Sequence, residues 1–291
     1  MWTLLQIELY KIFKRPRTYI AFAAISALIV IIQLGLKVDG KEYAAFVMAD
    51  INNSFQIDGK IINGYFVCFV CLQLLLVHVP LLIALIAADM ISGEANMGTL
   101  RLLITKPIGR TEFILAKFFA SAIYTLLLLV WIAILALFVS MFIFGTDDMF
   151  LMKNNYAVQL EKADIFWRYA GAFCFAALAM ITVAALGFFL SQFAENSIGP
   201  IVATMSIIIV FTILSTMNIP LFNYIKPYLF TTHMVTWKEF FDVQVNDNNE
   251  TIRGTVQHAD KIIHSSLVLI IHIFLFVGAS VFIFKKKDIL S

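Results

Sequence analysis

The sequence has little charge for its length. Only 14% of its 291 residues are Asp, Glu, Lys or Arg, whereas 61% are hydrophobic and the mean hydropathy is +0.90. A soluble domain carries about 25% charged residues, so a water-soluble fold of this composition would leave much apolar side chain exposed to water. The shortage of charge therefore argues against a soluble protein and predicts an integral, multi-pass membrane protein.

The sequence also lacks the motifs of common enzymes. It contains no G-x-x-x-x-G-K-[ST] phosphate loop, no H-E-x-x-H and no G-x-S-x-G. Its three cysteines fall within apolar segments, which argues against a disulfide framework. Cys68 and Cys71 form a C-x-x-C pair without a second ligand pair at matching spacing, so we interpret them as buried thiols. We expect no metal, no cofactor bound by this chain and no nucleic-acid partner.

Six uncharged runs are long enough to cross a bilayer, which takes about 20 mostly apolar residues. Their apolarity is continuous and lacks the alternation of a barrel wall, so the predicted fold class is all-α, with six transmembrane helices. The whole chain is interpreted as one transmembrane domain. The predicted helices occupy residues 18–36, 62–88, 114–144, 167–192, 197–218 and 262–284. The predicted loops are one cytoplasmic segment, 89–113, and three outer loops, 37–61, 145–166 and 219–261.

Basic residues predict the orientation of these helices. If both termini are cytoplasmic, the inner segments hold 11 bases against 6 acids, a balance of +5. The outer segments then hold 10 bases against 13 acids, a balance of −3, and the two balances sum to the net charge of +2. The positive-inside rule favours this arrangement, because the inner bases crowd the helix ends.

Two further segments are predicted to lie at the membrane surface. Residues 1–14 form a rough amphipathic helix, which predicts an interfacial helix whose bases face anionic lipid. Its apolar face is Trp2, Leu5, Leu9, Ile12 and Phe13, and Glu8, Lys11 and Lys14 lie opposite. The aromatic segment 221–241 predicts short helices in the outer interface, and its alternative is the frayed end of the fifth span.

The middle of every predicted span lacks Asp, Glu, Lys and Arg. Ion-coupled transporters usually carry such a group at mid-membrane, because coupling requires a titrating or ion-binding side chain there. If this protein transports a substrate, the energy is therefore expected to enter from outside the bilayer.

The cytoplasmic segment between the second and third spans has the pattern of a docking helix. Apolar residues Met97, Leu100, Leu103 and Ile104 fall at helical spacing, and Pro107 then turns the chain. This predicts a short amphipathic helix that docks into a groove on a cytoplasmic partner. The alternative is a tight hairpin, in which glycine, proline and bases are expected anyway.

This segment resembles the signature of the ABC-2 family of ABC-transporter permeases. The matching positions are Glu94, Gly98, Thr99, Leu100, Leu103, Pro107, Ile108, Arg110 and Lys117. Ala95 departs from the pattern, since the family often has a base there, and Gly109 departs where Ser or Thr is common. The motif covers about 25 residues. Six spans, a basic amphipathic N-terminal helix and interfacial helices before the sixth span resemble the family over the whole chain.

The resemblance implies a permease subunit of an exporter in a bacterial cytoplasmic membrane. It implies a separate ATP-binding subunit, which binds ATP and Mg, and a second permease copy, identical or different. The coupling residues it implies are Glu94, Met97, Gly98, Thr99, Leu100, Arg101, Leu103, Pro107 and Arg110. One alternative is an ABC-2-like subunit that transmits ATP-driven movement to an outer partner, as in maturation or gliding, without transport. The other is an intramembrane enzyme, for which the sequence offers only isolated polar groups.

A sparse polar stripe is the candidate for a pathway or for an interface between permease copies. It is formed by Thr204, Thr212, Ser215 and Thr216 of the fifth span, with Gln73 and His78 of the second. Hydroxylated residues also favour close helix packing in lipid, so ordinary contact within one chain is the alternative.

Overall fold

The computed structural model describes residues 1–47, 62–100, 108–153, 156–217, 219–244 and 251–286. Its helices are α1 Trp2–Lys14, α2 Pro16–Val47, α3 Gly64–Ala87, α4 Ser92–Asn96, α5 Arg110–Ala133, α6 Ser140–Phe144, α7 Lys162–Leu190, α8 Ile198–Thr216, α9 Phe230–Met234 and α10 Ala259–Lys286. A π-helical turn, Ile134–Val139, joins α5 to α6. Short 3-10 turns cover Ser191–Phe193, Pro220–Tyr224, Lys226–Tyr228 and Val235–Phe241.

Six helices are long and apolar enough to cross a membrane, which confirms the predicted fold class. They are Pro16–Gly40, Gly64–Ala87, Arg110–Phe144, Lys162–Phe193, Ile198–Thr216 and Ala259–Lys286. The third and fourth begin a few residues before the predicted starts at 114 and 167, and they include Lys117 and Arg168, as the predicted helices do. Both side chains are buried, and both find carboxylate partners inside the protein.

Helix ends are set by the local sequence. Pro16 opens α2, at a position where its missing N–H is not needed. Asn63 caps α3, since its side-chain oxygen accepts a hydrogen bond from the Phe66 N–H at 3.0 Å. Gly145 follows α6 with a φ of 79°, a conformation that favours glycine.

The bundle has two ends, which we name by the residues found there. The basal end carries α1, α4, the start of α5 and the end of α10, and Arg110 Nη1 donates to the Lys285 carbonyl there at 3.0 Å. The distal end carries residues 219–244 and 251–258 and an antiparallel hairpin, β1 Met149–Lys153 and β2 Tyr156–Leu160.

The hairpin is a small addition to the predicted helices. It lies inside the predicted loop 145–166, and Met149 pairs with Leu160 in its register. Met149, Leu151, Val158 and Leu160 are buried in alternation. A period of two over only five residues per strand is too short a pattern to separate from an apolar loop.

The core is centred on α7, which packs against α3, α5 and α10. Gly64 permits a close helix contact, because a Cβ added there would lie 2.4 Å from the Cα of Met141. The segment after α8 folds back as short helices. Residues 220–228 are largely exposed, whereas most of 229–241 is buried against α7 and α10, so this segment is no continuation of α8.

Candidate functional site

Helix α1 packs along α5 at the basal end, and its buried face differs from the predicted one. Ile12 is buried as expected, but Trp2 is 70% exposed. Glu8, which the helical pattern assigns to the polar face with Lys11 and Lys14, is only 5% exposed. Glu8 is buried because Lys117, a buried base on α5, supplies a partner for its carboxylate inside the protein. The interfacial position of α1 stays a prediction.

Glu8, Lys11, Glu94 and Lys117 form a closed ring of alternating charges, here called the charge ring. Lys11 Nζ lies 2.7 Å from Glu8 Oε1 and 2.8 Å from Glu94 Oε1. Lys117 Nζ lies 2.8 Å from Glu8 Oε2 and 2.8 Å from Glu94 Oε2. The ring is neutral and joins three elements: α1, α4 and α5.

Burial of the ring makes its charge balance important. Lys117 is 1% exposed, and a buried ion is costly unless a partner neutralises it. Burial by itself raises the pKa of Glu94, but Lys117 and Lys11 outweigh burial and hold that pKa below its ordinary value. Burial lowers the pKa of Lys11, whereas Glu8 and Glu94 raise it, and the net direction is upward. Both ionised forms are therefore stabilised together.

Another buried carboxylate, Asp89, lies just beyond the end of α3. Arg15 Nη1 donates to Asp89 Oδ2 at 2.5 Å, and Arg17 donates to the same oxygen. Gly93 lies against this carboxylate, since a Cβ added there would be 2.5 Å from Asp89 Oδ1. The Asp89 contacts hold the junction of α1 and α2 against the start of the 89–113 segment.

The 89–113 segment has an exposed tip. Helix α4 ends at Asn96, and Gly98 takes a φ of 70° before helical structure resumes at Thr99. Asn96, Met97 and Gly98 are exposed, and Met97 is 56% exposed. Leu100 is buried in the basal apolar cluster with Ile91 and Phe113. Asn96, Met97 and Gly98 therefore form a run of three consecutive exposed residues between half-buried and buried ones.

The predicted amphipathic helix across this segment is therefore interrupted. A single helix would place Met97 and Leu100 on one apolar face, but the left-handed backbone at Gly98 separates them into an exposed and a buried residue. Thr99 Oγ1 donates to the Glu94 carbonyl at 3.3 Å and stabilises the turn. Arg101, Leu103 and Pro107, which the sequence also assigns to coupling, lie outside the described residues.

Arg110, the last predicted coupling residue, joins this segment to α10. Its Nη1 donates to the carbonyls of Phe284 at 3.4 Å and of Lys285 at 3.0 Å. Together with the charge ring, this contact connects the 89–113 segment to α1, α5 and α10.

The polar stripe is divided by the fold. Thr204 is buried and donates to the Pro200 carbonyl at 2.7 Å, and Ser215 shares hydrogen bonds with Thr231 and Thr232. Within one chain, these two positions contact the chain's own residues, as in the alternative of ordinary helix packing, and the interface with a second copy stays a prediction. Thr212 is half-buried and Thr216 exposed.

Gln73 and His78 are exposed on α3, where they share one face with Leu74 and Val77. His78 Nδ1 lies 2.9 Å from the Leu74 carbonyl.

The sequence pattern missed Glu8, Asp89 and the ring itself. Charged residues that directly flank apolar runs are a usable signal: Lys117 precedes one run and Asp89 follows another. Their pairing cannot be inferred from sequence spacing, because Glu8 and Lys117 are 109 positions apart and Lys11 and Glu94 are 83 apart.

Comparison with known proteins agrees with this architecture. A family model described as ABC-2 family transporter protein matches residues 2–289. The chain is also 23% identical, over 211 residues, to the uncharacterized protein YhcI of Bacillus subtilis (strain 168). That match covers 70% of this chain and 63% of the length of the relative.

Proposed function

This chain belongs to the ABC-2 family of transporter membrane proteins, and we propose that it is the permease subunit of an ATP-driven exporter. ATP and Mg²⁺ bind a separate subunit in this proposal, since the chain lacks a phosphate loop. The basal end faces the cytoplasm, where that subunit docks. The membrane is the cytoplasmic membrane of a bacterium, which accords with the bacterial relative.

One observation carries the proposal: an exposed tip, Asn96–Gly98, is followed and preceded by residues whose side chains are buried in the transmembrane domain. Glu94, two residues before the tip, is held by Lys11 and Lys117. Leu100, two residues after it, is buried. A partner that moves the tip therefore pulls directly on α1 and α5.

The tip is the position at which docking is tested. We expect Met97→Asp to leave the fold intact, because the side chain is exposed, and to weaken docking by placing an acid in an apolar contact. The tagged chain is purified from its native membrane, and the ATP-binding subunit that co-purifies is identified by mass spectrometry. Stimulation of its ATP hydrolysis by the reconstituted permease is then measured.

The matched control is Ile252→Asp, an equally drastic change at an exposed distal position. We expect full stimulation with this variant and a large loss with Met97→Asp at equal yield and thermal stability. Full stimulation with Met97→Asp would favour the simple hairpin. Stimulation without movement of any substrate, together with a co-purifying outer protein, would favour mechanical transmission over export.

The orientation is tested by labelling in intact cells. Single cysteines at Gln257 and Asn96, both exposed, are introduced in a background without Cys68, Cys71 and Cys174. An impermeant thiol reagent should label the first from outside and the second only after the cells are opened. The reverse pattern would place the basal end outside.

A second permease copy is proposed to cover the exposed face of α3. Gln73 and His78 lie on that face within a span, and polar groups facing hydrocarbon are costly. In the thiol-free background, Gln73→Cys should cross-link two copies, whereas Val130→Cys, exposed on α5, should not. Equal yields from both positions, or none from Gln73→Cys, would remove α3 from the interface.

A further inference from the structure

Three side chains that can bind a metal ion meet at the distal end, away from the basal site. They are Glu239 and Asp242, around the end of the 3-10 turn Val235–Phe241, and His258, directly before α10. One ligand atom from each of them lies within 4.8 Å of the other two. Asp242 is buried, Glu239 half-buried and His258 exposed, so the cluster opens to the surface on the histidine side.

Backbone contacts hold the two segments that carry these ligands. The Gln257 N–H donates to the Asp242 carbonyl at 2.9 Å, which places His258 beside Asp242. The Asp242 N–H donates to the Glu239 carbonyl at 3.1 Å. The three ligand positions are therefore related by the fold and are not a chance meeting of long surface side chains.

A buried arginine on α7 joins the same two segments. Arg168 Nη1 donates to the Phe240 carbonyl at 2.7 Å, and its Nη2 donates to the Thr255 carbonyl at 2.8 Å. Arg168 is itself paired with Asp164. Because this contact holds the segments together without a metal, little reorganisation is required for a metal ion to bind.

The electrostatics of the cluster favour a cation. Glu239 and Asp242 each bring a carboxylate to the cluster, and the Lys261 ammonium contacts Glu239. Lys261 is well exposed, so its ammonium can leave the carboxylate for water at small cost.

We propose that Glu239, Asp242 and His258 bind a divalent transition-metal ion of the zinc class. One imidazole nitrogen and two carboxylate oxygens suit Zn²⁺ better than Ca²⁺ or Mg²⁺, which prefer oxygen ligands throughout. Two ligand atoms of a tetrahedral Zn²⁺ site lie about 3.4 Å apart, so the longest separation must shrink by at most about 1.4 Å. The ion would join the 3-10 turn to the first residues of α10, and water would complete its coordination.

Metal titration of the purified full-length chain, with its affinity tag removed, tests the site. Zn²⁺ is titrated calorimetrically, and Co²⁺ serves as a spectroscopic probe of imidazole ligation. We expect one ion per chain. His258→Ala and Asp242→Asn should each weaken binding by about tenfold or more. Lys261→Ala should tighten binding by about two- to fivefold, because it removes a competing exposed cation.

The controls are His264→Ala, an exposed histidine on α10, and Asp260→Asn, an exposed acid beside the site. Neither should change the affinity by more than about twofold. His258 is exposed, so its replacement tests the site even if Asp242→Asn fails to fold. Absence of a stoichiometric site in the wild type, equal affinity in His258→Ala, or weaker binding in Lys261→Ala would each overturn the proposal.

Discussion

Removal of the Lys117 ammonium should destabilise the protein more than any surface charge change. Lys117→Met keeps an unbranched side chain of similar volume and deletes one charge of the charge ring. Glu8 and Glu94 are then left buried with only Lys11 between them. Loss of one partner from a buried ion pair costs about 3–5 kcal/mol, because the remaining charge is uncompensated.

The same reasoning predicts rescue by a second substitution. Glu94→Gln alone leaves the ring with one excess positive charge and should also cost about 3–5 kcal/mol. Lys117→Met with Glu94→Gln restores neutrality, since Glu8 then pairs with Lys11 alone. The double variant should therefore cost less than the sum of the two single variants, by about 3 kcal/mol.

Free energies of unfolding are measured by titrating detergent-solubilised protein with SDS and following the loss of helix by circular dichroism. Glu161→Gln is the control, because its ion pair with Arg253 is largely exposed and should contribute less than about 1 kcal/mol. If the losses of unfolding free energy in the two single variants simply add in the double variant, the four charges act independently. A loss below about 1 kcal/mol in Lys117→Met would refute burial of the ring.

Two further predictions concern pH and close packing. Because the pKa of Glu94 is lowered and that of Lys11 is raised, docking of α1 should be complete between pH 5 and pH 10. Docking should weaken as pH falls below about 4.5, towards the lowered pKa of Glu94, and as pH rises above about 10.5, towards the raised pKa of Lys11. The fluorescence anisotropy of a dye attached at Trp2→Cys measures docking of α1. An anisotropy that stays constant outside that pH range would contradict the reasoning. Gly64→Ala should destabilise the fold by about 1–3 kcal/mol through its clash with the Met141 backbone. Gly35→Ala is the control and should not destabilise it, because the added Cβ has open space around it. Equal free energies of unfolding for the two variants in the SDS titration would count against the close contact.

The spans could be predicted because the bilayer imposes one strong rule on the sequence. About 20 consecutive apolar residues leave few alternatives to a helix, and six such runs gave six helices. The ends were less predictable: α5 begins at Arg110 and α7 at Lys162, before the predicted starts at 114 and 167. Lys117 and Arg168 lie inside the predicted and the observed helices alike and have carboxylate partners, and those of Lys117 come from elsewhere in the chain.

The coupling segment shows where periodicity fails. Met97 and Leu100 are three positions apart, which on one helix places them on the same face. A glycine in the left-handed region between them, Gly98, changes the direction of the chain. The spacing of apolar residues does not reveal this backbone conformation. The burial of Glu8 was missed for the opposite reason. Its helix is regular, but the buried base that pairs with it, Lys117, belongs to a helix about a hundred residues later.

The charge ring also explains why ions, and not only apolar side chains, connect α1 to the 89–113 segment. Buried ion pairs are weak evidence for stability, since well-packed apolar residues often stabilise as much. Apolar contacts, however, tolerate sliding and repacking, whereas each ammonium in the ring must remain near two carboxylates from two different elements. A displacement of α4 by a few ångströms would separate Glu94 from Lys11 and Lys117 unless α1 and α5 moved with it. We infer that the ring makes these three elements move as one unit, and that its neutrality allows the unit to lie at the membrane boundary.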